Sequence, residues 1–478
     1  MSALDLKALA PLITLGVTAV LAMLWIGLSK RKPGTAALSI SGMALAVLLL
    51  PMAHTAKPRA VTMLMQMDGY ATFYMALFGL AAVVVGLVAI PYFKKREAVV
   101  DEFYVLLPLA TAGAFAMVSA RHFASLYLGL EIMAIALYGM IAYVRESRIG
   151  TEAALKYLVL AAAGAAFLLF GMALVYAELG TLSLPELAGA THAQNANGVL
   201  LLGFAMVLVG VGFKLSVVPF HLWTADVYQG APAPVTAFLS TVSKGAVFAF
   251  MLRYFAAPDS EVFTTLFNAF ALAAVASMFV GNLLALRQRN VKRMLAYSSI
   301  AHVGYLAIAF LAGGNAALEA GSAYLAAYFI ASLGTFGVIA LRSAEQAGPD
   351  CEDVEDYRGL LFRRPLLGAV FALMLFSLAG LPLTAGFIGK LYLLTAGLKA
   401  NAWILLSALI INSGIGLYYY LRLALAVCTP KTETPGERVV EPWTGTVVLV
   451  ALLVALVWMG VYPNGIIGSI QSLVLSAR

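Results

Sequence analysis

PVTAFLSTVSKGAVFAFMLR, residues 234–253, is an apolar segment with one charge at its centre, Lys244, and an arginine at its end. As an α-helix, about 20 residues rise about 30 Å, the thickness of a bilayer's hydrocarbon core. The segment reads as a membrane-spanning helix holding a lysine at mid-depth.

The same pattern extends outward over the chain. Of 478 residues, 62% are hydrophobic and 11% are charged, against about 25% charged in soluble chains. Apolar runs of at least 18 residues recur from end to end, too long and too continuous for the alternating strands of a barrel. Helices satisfy their own backbone in lipid, so the fold class is all-α and polytopic. About fourteen spans are expected, centred near 10–28, 35–53, 69–92, 103–119, 122–143, 153–177, 198–219, 233–255, 261–285, 293–313, 318–341, 366–398, 402–427 and 443–462. The twelfth is too long for one straight crossing and contains Gly380 and Pro382, so it reads as a broken helix. The first reads as a retained helix, and the apolar tail after Pro463 as interfacial.

The net charge of +7 follows membrane topology rather than nucleic-acid binding. If Lys30, Arg31 and Lys32 are cytoplasmic, alternate loops place eighteen basic residues on that side. These include Lys94, Lys95, Arg96, Arg145, Arg148, Arg287, Arg289, Lys292 and Arg293. Seven fall on the other side, among them Arg59, Arg121 and Arg253, and both termini are expected outside, on the periplasmic side of a bacterial inner membrane. The largest loops, 179–197, 343–364 and 429–441, are too small for independent domains. No Walker loop, HExxH or strand–GxGxxG–helix pattern is present, which argues against an ATP-driven pump or a cofactor enzyme. Cys351 and Cys428 form no CxxC pair, and no two histidines have metal-ligand spacing. Gly210-Val211-Gly212 lies within a span and reads as helix packing.

Charge at mid-bilayer costs about 3 kcal/mol per group on insertion scales. Glu131, Lys214, Lys244 and Lys390 lie deep in spans, and Lys156 lies about a turn inside one, within snorkelling reach of the interface. A single buried charge is as readily a structural ion pair as a functional group. One deep glutamate cannot neutralise three deep lysines, however, so some must be neutral part of the time or must face water. Burial disfavours a charged amine and a nearby carboxylate restores it, so a moving partner can switch proton affinity. Glu131 and Lys214 are expected to form such a switchable pair. Lys244 is expected to be a hub, with waters held around it by some of Ser240, Thr241 and Ser243, which cannot all face one side of a helix. Arg422 reads as snorkelling to the interface. His302 is a candidate proton relay and His221 a candidate for proton uptake, while His54, His122 and His192 read as solvated.

The order of these features suggests an inverted repeat. Spans four to eight hold Glu131, Lys156, Lys214 before Pro219, and Lys244; spans nine to thirteen hold His302, Lys390 after Pro382, and Asn412-Ser413. Two blocks of five spans insert with opposite orientation, each with a broken third member near an ion site. The expected organisation is a three-helix segment over 1–101, a first repeat over 102–257, a second over 258–428, and a final helix and tail over 429–478.

GFKLSVVPFHLWTADVYQGAPAPVTAFLSTVSK (212–244), NVKRMLAYSSIAHVGYL (290–306) and SLAGLPLTAGFIGKLY (377–392) resemble the antiporter-like subunits of respiratory complex I, relatives of Mrp-type sodium/proton antiporter subunits. The resemblance covers nearly the whole chain. Within that family it is most similar to the N-type subunits of the bacterial proton-translocating NADH:quinone oxidoreductase. Lysine rather than glutamate stands at Lys390, and no long lateral helix follows the last span. The resemblance implies roles in proton transfer for Glu131 with Lys214, for Lys244 on the central axis, for Lys390 toward the outer side, and for Lys156 and His302 within the hydrated axis. It also implies no cofactor in this chain. NADH, FMN, iron–sulfur clusters and quinone would belong to partner subunits, with an antiporter-like subunit M and small subunits such as K and J as neighbours in the lipid bilayer. The competing readings are an Mrp-type cation/proton antiporter subunit and a scaffold whose charges only bind neighbours.

Overall fold

The computed structural model describes residues 2–474 apart from 29–33, 56–58, 95, 97–99, 145, 191–196, 257–260, 346–347 and 431–442. Lys30, Arg31, Lys32, Lys95, Arg145 and His192 therefore lie outside the described residues.

Among the described residues, thirteen helices are long and apolar enough to cross a bilayer. They include Gly69–Lys94, Asp101–Ser119, Phe123–Ile141, Arg148–Leu179, Gly198–Leu215, Ala233–Tyr254, Thr264–Leu286, Val291–Ala312 and Gly314–Ser343. A fourteenth crossing is the broken pair Pro365–Ala379 and Ala385–Lys399. The chain is a multi-pass, all-α membrane protein.

Local chemistry sets the helix ends. Ser147, Asn197 and Asn290 cap the sixth, seventh and tenth spans, accepting from the amides of Gly150, Leu200 and Arg293 at 3.0, 2.9 and 3.0 Å. The seventh span stops at Leu215, where Ser216 turns left-handed, and resumes as Trp223–Gly230. The twelfth stops at Gly380, whose φ of 85° is open to glycine and costly for other residues. Both interruptions were legible as proline breaks. A short hairpin was not, and Arg59–Val61 pairs with Met65–Met67 in a loop that carried no strand signal.

Span packing places the core. Gly210 abuts the sixth span so closely that a Cβ there would lie 2.7 Å from the Gly164 carbonyl oxygen, the close approach that small residues allow in membranes. The apolar windows of the eighth, tenth and eleventh spans are 100%, 89% and 94% buried, against 28% for the first. These three form the centre of the molecule, and a charge on the eighth cannot reach lipid by snorkelling.

The loops sort to two ends. The residues after the third, seventh, ninth and eleventh spans meet through Arg96, Gln229, Asn290, Asp350 and Glu352. At the other end, Arg59 pairs with Asp5 at 3.4 Å, the Arg121 amide donates to Leu64 at 2.8 Å, and Arg253 pairs with Asp68. This is the alternation expected from the basic loops, and the first end is called the basic face below. The tail helix Asn464–Leu473 packs on the third and eleventh spans at the opposite end.

Two surface readings need correction. His122 is not merely solvated, since its Nδ1 accepts the Ala124 amide at 3.1 Å and caps the fifth span. Lys292, counted among loop cations, is 1% exposed, because the loop after the eleventh span folds over it.

Candidate functional site

Lys214, Lys244, Lys390 and His302 are 5%, 3%, 8% and 4% exposed. Lys214 lies in the last turn of Gly198–Leu215, where the helix dipole favours a cation. Its Nζ is buried without a hydrogen-bond partner, as is Glu131 Oε1. The two are near enough for their charges to interact, but no ion pair of 4.0 Å or less joins them among the described residues. The expected pair is open rather than closed. The Tyr157 ring, with its centroid 5.9 Å from Lys214 Nζ, helps to line the gap.

Lys156 stands apart. It binds Glu152 and Asp226, each at 2.7 Å, and Asp226 also binds Arg293 at 2.7 Å. Its side chain is 42% exposed. The structure therefore does not bring Lys156 to the buried groups; it ties the sixth span to the second half of the seventh and to the start of the tenth. Arg422 reaches back to the carbonyls of Leu286 and Gln288 at 3.2 and 2.6 Å, capping the ninth span's C-terminal end.

Lys244 follows a π-helical segment, Leu239–Ser243, of a kind that often marks functional sites. Its Nζ donates to Ser299 Oγ at 2.8 Å and lies 5.4 Å from the Tyr228 ring centroid. Ser240 and Thr241 do not surround it as expected, because both hydroxyls donate to their own helix at the Ala237 carbonyl, at 3.1 and 2.5 Å. Ser299, 55 residues away in sequence, is the partner that sequence reading missed.

His302 is held at both nitrogens. Nδ1 is 2.6 Å from the Tyr324 hydroxyl and Nε2 is 3.0 Å from the Tyr420 hydroxyl, which in turn bonds Ser298. Lys390 folds back across the break to donate to the Ala379 carbonyl at 2.8 Å, at the negative end of the first half-helix. Both broken spans thus hold an ammonium at the C-terminal end of their first half, Lys214 from within it and Lys390 from beyond it.

Two small voids lie along this line, each of about 10 Å³. One is lined by Lys244 and His302, the other by His302 and Lys390. Each is on the scale of a single water. Lys244 and His302 thus share one small void, and His302 and Lys390 the next. Amines, imidazole and hydroxyls can each give and take a proton, so with a water in each gap the row could pass protons. No cluster of three or more His, Cys, Asp or Glu suited to a metal occurs among the described residues.

The sequence profile of the family described as NADH:quinone oxidoreductase/Mrp antiporter, transmembrane, matches residues 120–416. A chain of respiratory complex I from Thermus thermophilus, solved with aureothin bound, is 35% identical. The match covers 96% of this chain and 98% of that one, with a TM-score of 0.82. A chain of the archaeal membrane-bound sulfane sulfur reductase is 25% identical over 99% and 97% of the two chains, with a TM-score of 0.86. A chain of the Mrp complex from Dietzia sp. DQ12-45-1b shares the fold, at 20% identity over 99% and 98% and a TM-score of 0.81. The matched segment spans Glu131, Lys214, Lys244, His302 and Lys390, and on these findings the chain belongs to the family of antiporter-like membrane subunits shared by NADH:quinone oxidoreductases and Mrp antiporters.

Proposed function

We propose that this chain is an N-type, proton-translocating membrane subunit of a bacterial NADH:quinone oxidoreductase. It would carry no redox centre of its own, and NADH, FMN, iron–sulfur clusters and quinone would sit in partner subunits. Another antiporter-like subunit of M type and small subunits of K and J type would be its membrane neighbours. The basic face would be cytoplasmic. The observation that supports this reading best is the buried row Lys244–His302–Lys390 with its two water-sized voids. A scaffold whose charges bind neighbours would present them at its surface, whereas Lys214, Lys244 and Lys390 are buried within the chain. Here none of the three deep lysines has a carboxylate within 4.0 Å among the described residues, so their charge is free to change.

Lys244 is the hub of this reading. Lys244→Arg keeps a charge but fixes it, since guanidinium does not deprotonate in proteins. In the assembled complex, NADH-driven pumping in vesicles should fall to less than half, and Lys244→Ala should do the same. Near-normal pumping by an assembled Lys244→Arg complex would sink the reading. The family also contains Mrp antiporters, and that alternative predicts sodium-dependent proton exchange without NADH.

A further inference from the structure

Beside the row of buried groups, the basic face carries a cavity of about 290 Å³ that opens to the surface. Its walls come from the ends of the third, fifth and seventh spans and from the loop after the eleventh, with Tyr92, Arg96, Gln229, Lys292, Asp350 and Glu352 among them. Asp350 closes its floor. One carboxylate oxygen accepts from the Tyr92 hydroxyl at 2.7 Å and from Arg96 at 3.2 Å; the other accepts from the Ala233 amide at 3.1 Å and from Lys292 at 2.8 Å. Lys292 spends its remaining donors on the carbonyls of Gln229 and Ala231, at 2.8 and 2.6 Å. All three ammonium protons and all four carboxylate sites are filled.

We infer that this cavity is the mouth through which protons from the basic side reach Lys244, and that the Lys292–Asp350 pair is its inner gate. Lys292 and Ser299 lie seven residues apart on the tenth span, two turns along one face and about 10 Å in rise. Ser299 holds the Lys244 amine at 2.8 Å and lies 3.3 Å from the Tyr228 hydroxyl. Tyr228 precedes Gln229, whose carbonyl Lys292 binds, so one short helix, Trp223–Gly230, touches both the gate and the hub. Ser299 Oγ accepts from Lys244 and donates to the Ala296 carbonyl at 2.7 Å, so its hydroxyl turns toward Tyr228 when a proton passes between them. Asp350 also fastens the third span, the eighth and the tenth to one another, so opening the gate loosens three parts of the molecule at a single point.

This inference rests on the proton-translocation reading, and the test separates the two. Gly348 lines the mouth, and a Cβ added there meets nothing within 4 Å. A Gly348→Cys chain, with the exposed Cys428 replaced by serine, is assembled in the complex. It is treated in vesicles with the basic face outward, using a membrane-impermeant, negatively charged methanethiosulfonate. The unlabelled variant should pump as the parent does. Labelling should cut NADH-driven pumping by at least half, and reduction of the label should restore it. Complete labelling without effect, or failure of the thiol to react at all, overturns the inference. Lys244→Arg is run in parallel: if it pumps normally, the translocation reading itself has failed. If it is inactive while labelled Gly348→Cys pumps, only the mouth is wrong.

Discussion

Glu131 and Lys214 each bury a polar atom with no partner, across a gap that neither closes. At 4 Å and an effective dielectric of about 20 their attraction would be roughly 4 kcal/mol. With the gap open it is smaller, so closure by a small movement would strengthen it and charge Lys214 more firmly. A static ion pair has no such reserve. We propose that the pair is a switch, open in this structure. Glu131→Gln keeps the shape and removes the charge. The complex should assemble, its melting temperature should change little because no direct bond is lost, and pumping should fall to less than half. Full pumping by an assembled Glu131→Gln complex would remove the switch from the mechanism.

Each broken span holds an ammonium at the end of its first half. In the twelfth, Gly380 has a left-handed φ of 85°, and a Cβ there would come within 2.8–3.1 Å of the Lys390 Cδ, Nζ and Cε. Gly380→Ala therefore strains the turn, at about 1–3 kcal/mol, and pushes the ammonium from the Ala379 carbonyl. Pumping should fall as it does for Lys390→Met, although the lysine is still present. Equal activity of Gly380→Ala and the parent would show that the position of Lys390 is unimportant. At this scale the sequence was informative. Proline and glycine chemistry located both breaks, and hydropathy located fourteen crossings. Partners were beyond it: nothing local in IGKLYLL says that Lys390 turns back to Ala379, and nothing near Lys244 names Ser299. The hydroxyls that looked helpful at Ser240 and Thr241 were drawn to their own backbone, at a helix carbonyl three and four residues before them. Lys156 divided the two readings: the resemblance implied the axis, whereas its place a turn inside the span left it within snorkelling reach of the interface, and its stem leads the amine out to Glu152 and Asp226.

In the whole molecule, loops from alternate spans gather at two ends, and the end holding Arg96, Lys292 and Asp350 is proposed to face the cytoplasm. Phe362, 60% exposed in the loop after the eleventh span, reports on this. In a chain whose Cys428 is replaced by serine, Phe362→Cys should react with an impermeant thiol reagent only in inside-out vesicles, and reaction in right-side-out cells would invert the topology. Lys292 and Asp350 show why the gate was invisible beforehand. A lysine counted for topology and a carboxylate in an acidic loop become one buried pair only when the ninth-to-tenth and eleventh-to-twelfth connections fold together. The central position of the eighth span has a further consequence, for the order of manufacture. A ribosome delivers Ala233–Tyr254 to the membrane before the tenth and eleventh spans exist, yet those spans supply the walls that leave its apolar window no surface facing lipid. Until Ser299 emerges, the Lys244 amine has no native partner, and insertion of the charge carries its full cost of about 3 kcal/mol. The half-made chain must therefore be sheltered by the insertion machinery, and a nascent product ending at Tyr254 would be a substrate for membrane proteases rather than a stable half-protein.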